Sequence, residues 1–312
     1  MKTPVIIDCD PGHDDAIALV MAFASKELDV LAVTTTAGNQ TLAKTTANAC
    51  KVLTLIEKQV PVAMGANNPM ARELEVAPAV HGDSGLDGPV LPEPAFEPVD
   101  EPSWELCRRL ILESKTPVTM VATGPLTNLG ILFTKYPEVK DNIERISIMG
   151  GGIDHGNWTT AAEFNILVDP EAADIVFTSG IPVIMSGLDV TEKALIKKEE
   201  VEEIRAMGQT VPVFVAELLD FFFKFHIEMG FDGAPLHDPC AVAYLMAPEL
   251  FETVDYHVII ETEGKYTTGM TIADKRINPD IEKPNAKVCM GLNRKKFIDL
   301  LKDVCRSYNI EA

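Results

Sequence analysis

V-I-I-D-C-D-P-G-H-D-D-A, residues 5–16, is the stretch that decides the fold. Residues 5–10 form an apolar, β-branched run that ends in carboxylates, which predicts a buried strand. Pro11-Gly12 breaks it, and from residue 16 to 25 the apolar positions recur with helical spacing. Strand, tight turn and helix make half of a crossover unit, and the pattern repeats along the chain. Apolar runs at 30–37, 60–64, 118–123, 146–150, 183–187 and 258–261 alternate with helical stretches at 42–55, 104–113, 125–134, 171–178 and 213–228. That alternation predicts an open, mostly parallel α/β sheet with helices on both faces. The proline-rich stretch 89–102 reads as a surface connection, so residues 1–312 are expected to form a single domain.

In such sheets ligands lie beyond the carboxyl ends of the strands. The polar residues directly after the expected strands are therefore the candidates. They are T-A-G-N-Q-T at 36–41, A-T-G-P-L-T-N at 122–128 and M-G-G at 149–151, followed by the loop G-N-W-T-T-A-A-E-F-N at 156–165. One sheet edge is lined with carboxylates, amides and glycines.

Composition narrows the function classes. A formal net charge of −20 repels polyphosphate and anionic lipid, which argues against nucleic-acid and membrane-surface partners. The longest apolar run, residues 16–24, is too short for a bilayer span of roughly 20 residues. Asp8 interrupts the apolar run that a secretory leader needs, so a cytoplasmic protein is expected. The six cysteines are scattered without C-x-x-C spacing, which predicts free thiols rather than a zinc site.

Asp8, Asp10, Asp14 and Asp15 fall within eight residues and have no Lys or Arg among them. Like charges this close need compensation, and an all-oxygen donor set favours a hard cation such as Ca²⁺ or Mg²⁺. Helix capping could use one of these aspartates but not four. His237-Asp238-Pro239 and Asp169-Pro170 each read as a helix start with Asp at the N-cap. Capping suffices for Asp169. For Asp238 the adjoining His237, expected to be poised near neutral pH, points to the site instead.

Seven motifs in order, D-C-D-P-G-H-D-D-A, A-G-N-Q-T, H-G-D-S-G-L-D-G (81–88), T-G-P-L-T-N, M-G-G, A-E-F-N and H-D, cover residues 5 to about 240. Together they resemble the inosine–uridine nucleoside hydrolase family, nearest to its pyrimidine-preferring ribonucleoside hydrolases. Asp83 stands where relatives commonly have Glu, a conservative departure. The resemblance implies a Rossmann-like fold with the active site at the strand carboxyl ends, and one Ca²⁺ per chain. The ion would be held by Asp10, Asp15, Asp238 and the Thr123 carbonyl, with Asp10 also the general base for the attacking water. It places Asp14, Asn39, Glu163 and Asn165 on the ribose, Asn157 on its 5′ side, Met149 beneath the sugar and Phe164 in the pocket wall. Asp8 becomes a supporting residue, and His81 and His237 become catalytic residues facing the base. The substrate implied is a small nucleoside cleaved to ribose and free base, in a salvage role, by a homo-oligomer, commonly a tetramer.

The reaction accounts for this residue set. Cleaving an N-glycosidic bond builds positive charge on the ribose ring, and carboxylates beside it favour that transition state over the neutral substrate. The segment 223–233, F-K-F-H-I-E-M-G-F-D-G, is expected to choose the base, with His226 as its proton donor and uridine and cytidine preferred over inosine. Phe221, Phe222, Phe223 and Phe225 are expected in the core rather than the pocket. A haloacid-dehalogenase-like phosphatase also opens on a strand and D-x-D, but Pro11-Gly12 and the immediate second acid pair do not fit it. A non-catalytic nucleoside-binding or sensing protein on the same fold is the other alternative. That reading requires loss of one of Asp10, Asp14, Asp15 and Asp238, and all four are present.

Overall fold

Eight strands share one sheet in a computed structural model that describes residues 2–276 and 283–308. At its centre β1 (Thr3–Cys9) pairs with β2 (Leu28–Thr35), and β2 with β3 (Val62–Met64). On the other side of β1 follow β4 (Val118–Ala122), β5 (Ile143–Met149) and β6 (Val183–Ser186). All of these neighbours are parallel. Two short strands, β7 (Leu195–Ile196) and β8 (Ala234–Pro235), pair apart from the sheet. β9 (Phe251–Tyr256) forms the far edge, and β10 (Val258–Ile260) and β11 (Thr271–Ala273) make a separate antiparallel pair. β12 (Ala286–Leu292) lies parallel to β6 and antiparallel to β9.

Parallel neighbours need crossovers, and helices supply them. Side chains alternate along β1: Val5, Ile7 and Cys9 face one core and Ile6 the other. The first core is covered by α1 (His13–Ala24) and α2 (Leu42–Leu55), and the short α3 (Pro78–His81) follows in sequence. The second is covered by α4 (Ser103–Glu113) and α5 (Thr127–Lys135), then, after the short α6 (Phe164–Val168), by α7 (Pro170–Phe177). The remaining helices return to the first face: α8 (Leu188–Thr191), α9 (Lys198–Arg205), α10 (Thr210–Glu228), α11 (His237–Met246) and α12 (Arg294–Ser307). Burial of each large aliphatic side chain in these layers contributes roughly 1.5–3 kcal/mol.

The expected α/β architecture is present, with two differences at its far end. The run at 258–261 enters the side pair β10–β11, while β9 and β12 enter the main sheet unforeseen. β9 is an edge strand, F-E-T-V-D-Y, with half its residues at the surface, so it lacks the continuous apolar run that marks a central strand. The order β2-β1-β4-β5 sets the position of the site. Residues that follow these four strands converge at one edge, and α11 packs on α1 and β5 to bring its own first turn there.

Candidate active site

The turn from β1 into α1 concentrates negative charge where a helix N-terminus offers unpaired N–H groups. The Asp15 carboxylate accepts from Gly12 N at 2.9 Å and Asp10 N at 3.3 Å, which caps α1. It also accepts from the Thr123 hydroxyl at 2.7 Å and Asn39 Nδ2 at 3.1 Å. Asp14 follows on the same turn and accepts from Asp238 N at 3.4 Å. Asp238 is not an N-cap as expected: Leu236 caps α11, and Asp238 sits in its first turn. Its carboxylate is thereby free to join the others. One oxygen each of Asp14, Asp15 and Asp238 lies within 4.8 Å of the other two, and all three residues are buried.

Asp10 stands beside this triad. Its Oδ2 accepts from Asn39 N at 2.7 Å, while its Oδ1 is buried without a hydrogen-bond partner. Gly38 and Gly124 flank the carboxylate so closely that a Cβ on either would overlap its oxygens. Burial first, then repulsion from Asp15, holds Asp10 well above the usual carboxylate range. Burial and the neighbouring acids do the same to Asp238, and they push Asp14 up to about 7. Asp15 is raised by burial, against the hydrogen bonds it accepts. No Lys or Arg is among the described residues lining the adjoining cavity. A bound cation is the group that would let these acids ionise together, and an oxygen-only donor set suits a hard divalent ion.

Above the acids opens a cavity of about 300 Å³. At its middle level Asn165 Nδ2 donates to the Thr123 carbonyl at 2.8 Å and to the Met149 carbonyl at 3.2 Å. Glu163 caps α6 through Asn165 N and Ile166 N at 2.9 and 3.2 Å, and accepts from Gly151 N at 2.8 Å. Burial nonetheless pushes its carboxyl up to about 7. Asn157 Oδ1 accepts from Phe164 N at 3.0 Å, which folds the loop over the cavity. Trp158 closes that side, its ring 4.7 Å from Phe164 and its Nε1 donating to Glu75 at 2.7 Å.

The far end of the cavity is built from rings. His81 lies on α3, 3.1 Å from His13 between Nδ1 atoms, and His13 Nε2 donates to the Asp87 carbonyl at 2.8 Å. His226 on α10 places Nδ1 2.9 Å from the Phe222 carbonyl, and His237 places Nδ1 2.8 Å from the Thr191 hydroxyl. Burial lowers all four histidines: His13 and His226 to about 4, His237 to about 3 and His81 well below its ordinary value. The expectation that His226 donates a proton near neutral pH is therefore corrected. It is buried in the wall as a neutral ring whose Nδ1 proton is engaged by a carbonyl. His237 is likewise neutral rather than poised near pH 7.

The structure brings Asp14, Asn39, His81, Thr123, Met149, Asn157, Glu163, Phe164, Asn165, His226, His237 and Asp238 onto one cavity. Asp10 and Asp15 lie beneath it. Asp8 accepts from Thr34 Oγ1 and from Asn128 Nδ2 at 2.7 Å, one layer below the acids. Asp169 caps α7 through Ala172 N at 3.0 Å, as its Pro170 neighbour suggested. Phe222 and Phe225 correct the expectation of a purely core stripe, because both line the cavity with Met229 and Phe231. They were missed because an apolar helix face reads alike whether it meets core or pocket. Trp158, an aromatic in the polar half of the 156–165 loop, was the available signal left unused. His155 lies 3.0 Å from Glu192, which lines the cavity.

Residues 5–299 match the family model described as "Inosine-uridine preferring nucleoside hydrolase". The chain is 55% identical over 311 residues to the pyrimidine-specific ribonucleoside hydrolase RihA of Shigella boydii serotype 4, covering 99% of this chain and 100% of the relative. Among solved structures, the purine-preferring ribonucleoside hydrolase from Gardnerella vaginalis superposes with a TM-score of 0.92 at 31% identity, covering 99% and 100% of the two chains. A plant nucleoside hydrolase, the PpNRh1 enzyme, gives 0.91 at 30% identity, covering 98% and 99%.

Proposed function

The chain belongs to the inosine-uridine preferring nucleoside hydrolase family, and on that premise we propose that it hydrolyses pyrimidine ribonucleosides, uridine and cytidine, to ribose and free base. The observation that carries this reading is the buried group Asp14, Asp15 and Asp238, with no Lys or Arg among the described lining residues, at the floor of a cavity whose far wall is aromatic. Acids belong where the sugar becomes positive, and flat rings belong where the base stacks.

One Ca²⁺ would suit the floor, because it would give the unpaired Asp10 Oδ1 a partner and let the crowded carboxylates ionise together. Asp10, Asp15, Asp238 and the Thr123 carbonyl would hold it, with Asp14 alongside. The ion would supply fixed positive charge that orients water and ribose hydroxyls. Asp10 takes the proton from the attacking water, in a pocket kept open by Gly38 and Gly124. Asp14, Asn39, Glu163 and Asn165 hold the ribose hydroxyls, and Asn157 reaches the 5′ side. Met149 packs beneath the ring and Phe164 forms the wall. As the bond stretches, the carboxylates favour the oxocarbenium-like sugar. His81 and His237, as catalytic residues, hydrogen-bond the departing base, and His226 lines the same end.

The pyrimidine preference is supported by a full-length relative named pyrimidine-specific at 55% identity, against a purine-preferring structure at 31%. The six cysteines, all buried free thiols, suit a reducing cytoplasm, and nucleoside salvage is the role that such a hydrolysis would serve there. Assembly as a homotetramer is the family expectation, and sedimentation would check it. No described helix is long and apolar enough to cross a membrane.

The test is a panel of uridine, cytidine, inosine, adenosine and guanosine with calcium present, reading reducing sugar and free base. Protein purified without chelator should carry about one equivalent of calcium per chain. Zinc in its place, full activity after exhaustive metal removal, or release of no ribose from any nucleoside would overturn the reading.

A further inference from the structure

Two histidines at the base end are anchored through the same ring nitrogen by chemically different partners. His226 Nδ1 faces the Phe222 carbonyl at 2.9 Å. A carbonyl only accepts, so the neutral ring carries its proton on Nδ1 and presents a bare Nε2. His237 Nδ1 faces the Thr191 hydroxyl at 2.8 Å. A hydroxyl donates or accepts, so this contact alone leaves the tautomer open.

The surroundings decide it. Thr191 ends α8, is fully buried and does not line the cavity. Its amide donates to the Gly187 carbonyl at 3.0 Å, and the Leu236 amide donates to the Ala194 carbonyl at 3.1 Å. The strand-to-helix turn and the start of α11 are thus held in register by backbone. Were the His237 proton on Nδ1, the Thr191 hydroxyl proton would have no acceptor in a dry site, which is costly. With Thr191 donating to Nδ1, both groups are satisfied and the proton of His237 sits on Nε2.

We infer that Thr191 is a positioning residue that holds His237 as a hydrogen-bond donor through Nε2, opposite in sense to the acceptor presented by His226. The two rings line the same cavity with centroids 6.1 Å apart, so donor and acceptor are presented to one ligand. A uracil edge offers the complement, since each carbonyl oxygen neighbours the N3–H. The oxygen that gathers negative charge as the base departs takes the His237 donor. No proton needs to leave either ring for this pair to read the base. The inference rests on the reading that this end of the cavity receives the base.

Calcium-loaded wild type, Thr191→Val and Thr191→Ser separate the possibilities. The imidazole ¹⁵N spectrum of unliganded wild type should show His237 protonated on Nε2, and Thr191→Val should show a mixture of tautomers. With uridine, Thr191→Val should lose about tenfold in kcat with KM changed by less than about twofold, and Thr191→Ser should stay within about twofold of wild type. A wild-type spectrum with the His237 proton on Nδ1 would overturn the inference. So would an unchanged kcat in Thr191→Val, or an equal loss in Thr191→Ser, which would mean that the methyl group matters and the hydroxyl does not. A wild type inert towards uridine would sink the activity reading, whereas the spectrum, which needs no substrate, still decides this one.

Discussion

The two ends of the cavity are built on opposite physical terms. At the end we propose for the sugar, buried carboxylates crowd together, and desolvation and mutual repulsion raise their pKa values. At the base end, buried imidazoles are pushed down and stay neutral among apolar rings. The acids of the first end need a cation to ionise together, while the second end is neutral and reads shape and hydrogen bonds. The first is the chemistry common to every nucleoside, and the second is free to vary with the base.

The largest expected effect strikes the sugar end. Asp10→Asn keeps the shape but cannot take a proton, so kcat should fall by about 10²–10⁴-fold with the fold retained. Circular dichroism and turnover with calcium bound check this together; more than a tenth of wild-type kcat would release Asp10 from the role of base. Gly124→Ala should cost about 10²-fold in kcat/KM, through displacement of the same carboxylate by a Cβ that overlaps it. Calcium titration of this variant should weaken in parallel, and unaltered calcium affinity and rate would show that the crowding is harmless.

The two ends also differed in how far they could be read from sequence. The acids sit directly after strands in one contiguous motif, where like charges without a basic partner admit few explanations. Asp10, Asp14 and Asp15 were legible for that reason, as was the parallel sheet whose strand ends gather them, whereas Asp238 was drawn in by its neighbour His237. The base end was not, because Phe222 and Phe225 lie on a helix whose face is apolar throughout and serves core and cavity at once. His226 was found, but its protonation was misjudged, since burial and the Phe222 carbonyl are tertiary facts that residue type cannot convey. β9 was missed because an exposed edge strand carries little hydrophobic signal, and β12, an inner strand, because Lys287 and Gly291 interrupt its apolar run.

Effects at the base end should be smaller and should fall on selectivity. Uridine and cytidine should exceed inosine by at least about tenfold in kcat/KM, about 1.4 kcal/mol of differential transition-state stabilisation. Comparable rates for inosine and uridine would erase the distinction drawn between a common and a selective end. His226→Ala should lower uridine turnover by about fivefold, the scale of one lost neutral hydrogen bond. An unchanged uridine rate would reduce His226 to wall packing.

The smallest effect is on stability, and its sign differs between the two ends. In metal-free protein, Asp14 and Glu163 are raised from 3.8 and 4.5 to about 7. The folded state then holds protons that the unfolded chain releases, so their contribution is fully present below about pH 4 and lost as pH rises through about 7. His226 and His237 are lowered from 6.5 to about 4 and 3. The unfolded chain takes up those protons first, so their contribution is present above about pH 6.5 and lost as pH falls through the folded values. Calcium does for the carboxylates what protons do in acid, and leaves the histidines untouched. Added to metal-free protein at about a hundred times its Kd, it should raise Tm at pH 8 by roughly 5–10 °C, from about 2.7 kcal/mol of linkage at roughly 2–4 °C per kcal/mol. At pH 5 the same calcium concentration should raise Tm by less, because protons compete for the cluster and weaken the apparent affinity. The loaded protein should gain stability from pH 5 to 7.5 as the histidine contribution appears, and the metal-free protein should gain less or decline. Thermal melts of both forms across that range decide the matter; equal calcium shifts at pH 5 and pH 8 would mean that the acids are ionised without the metal and that the two ends are not electrostatic opposites.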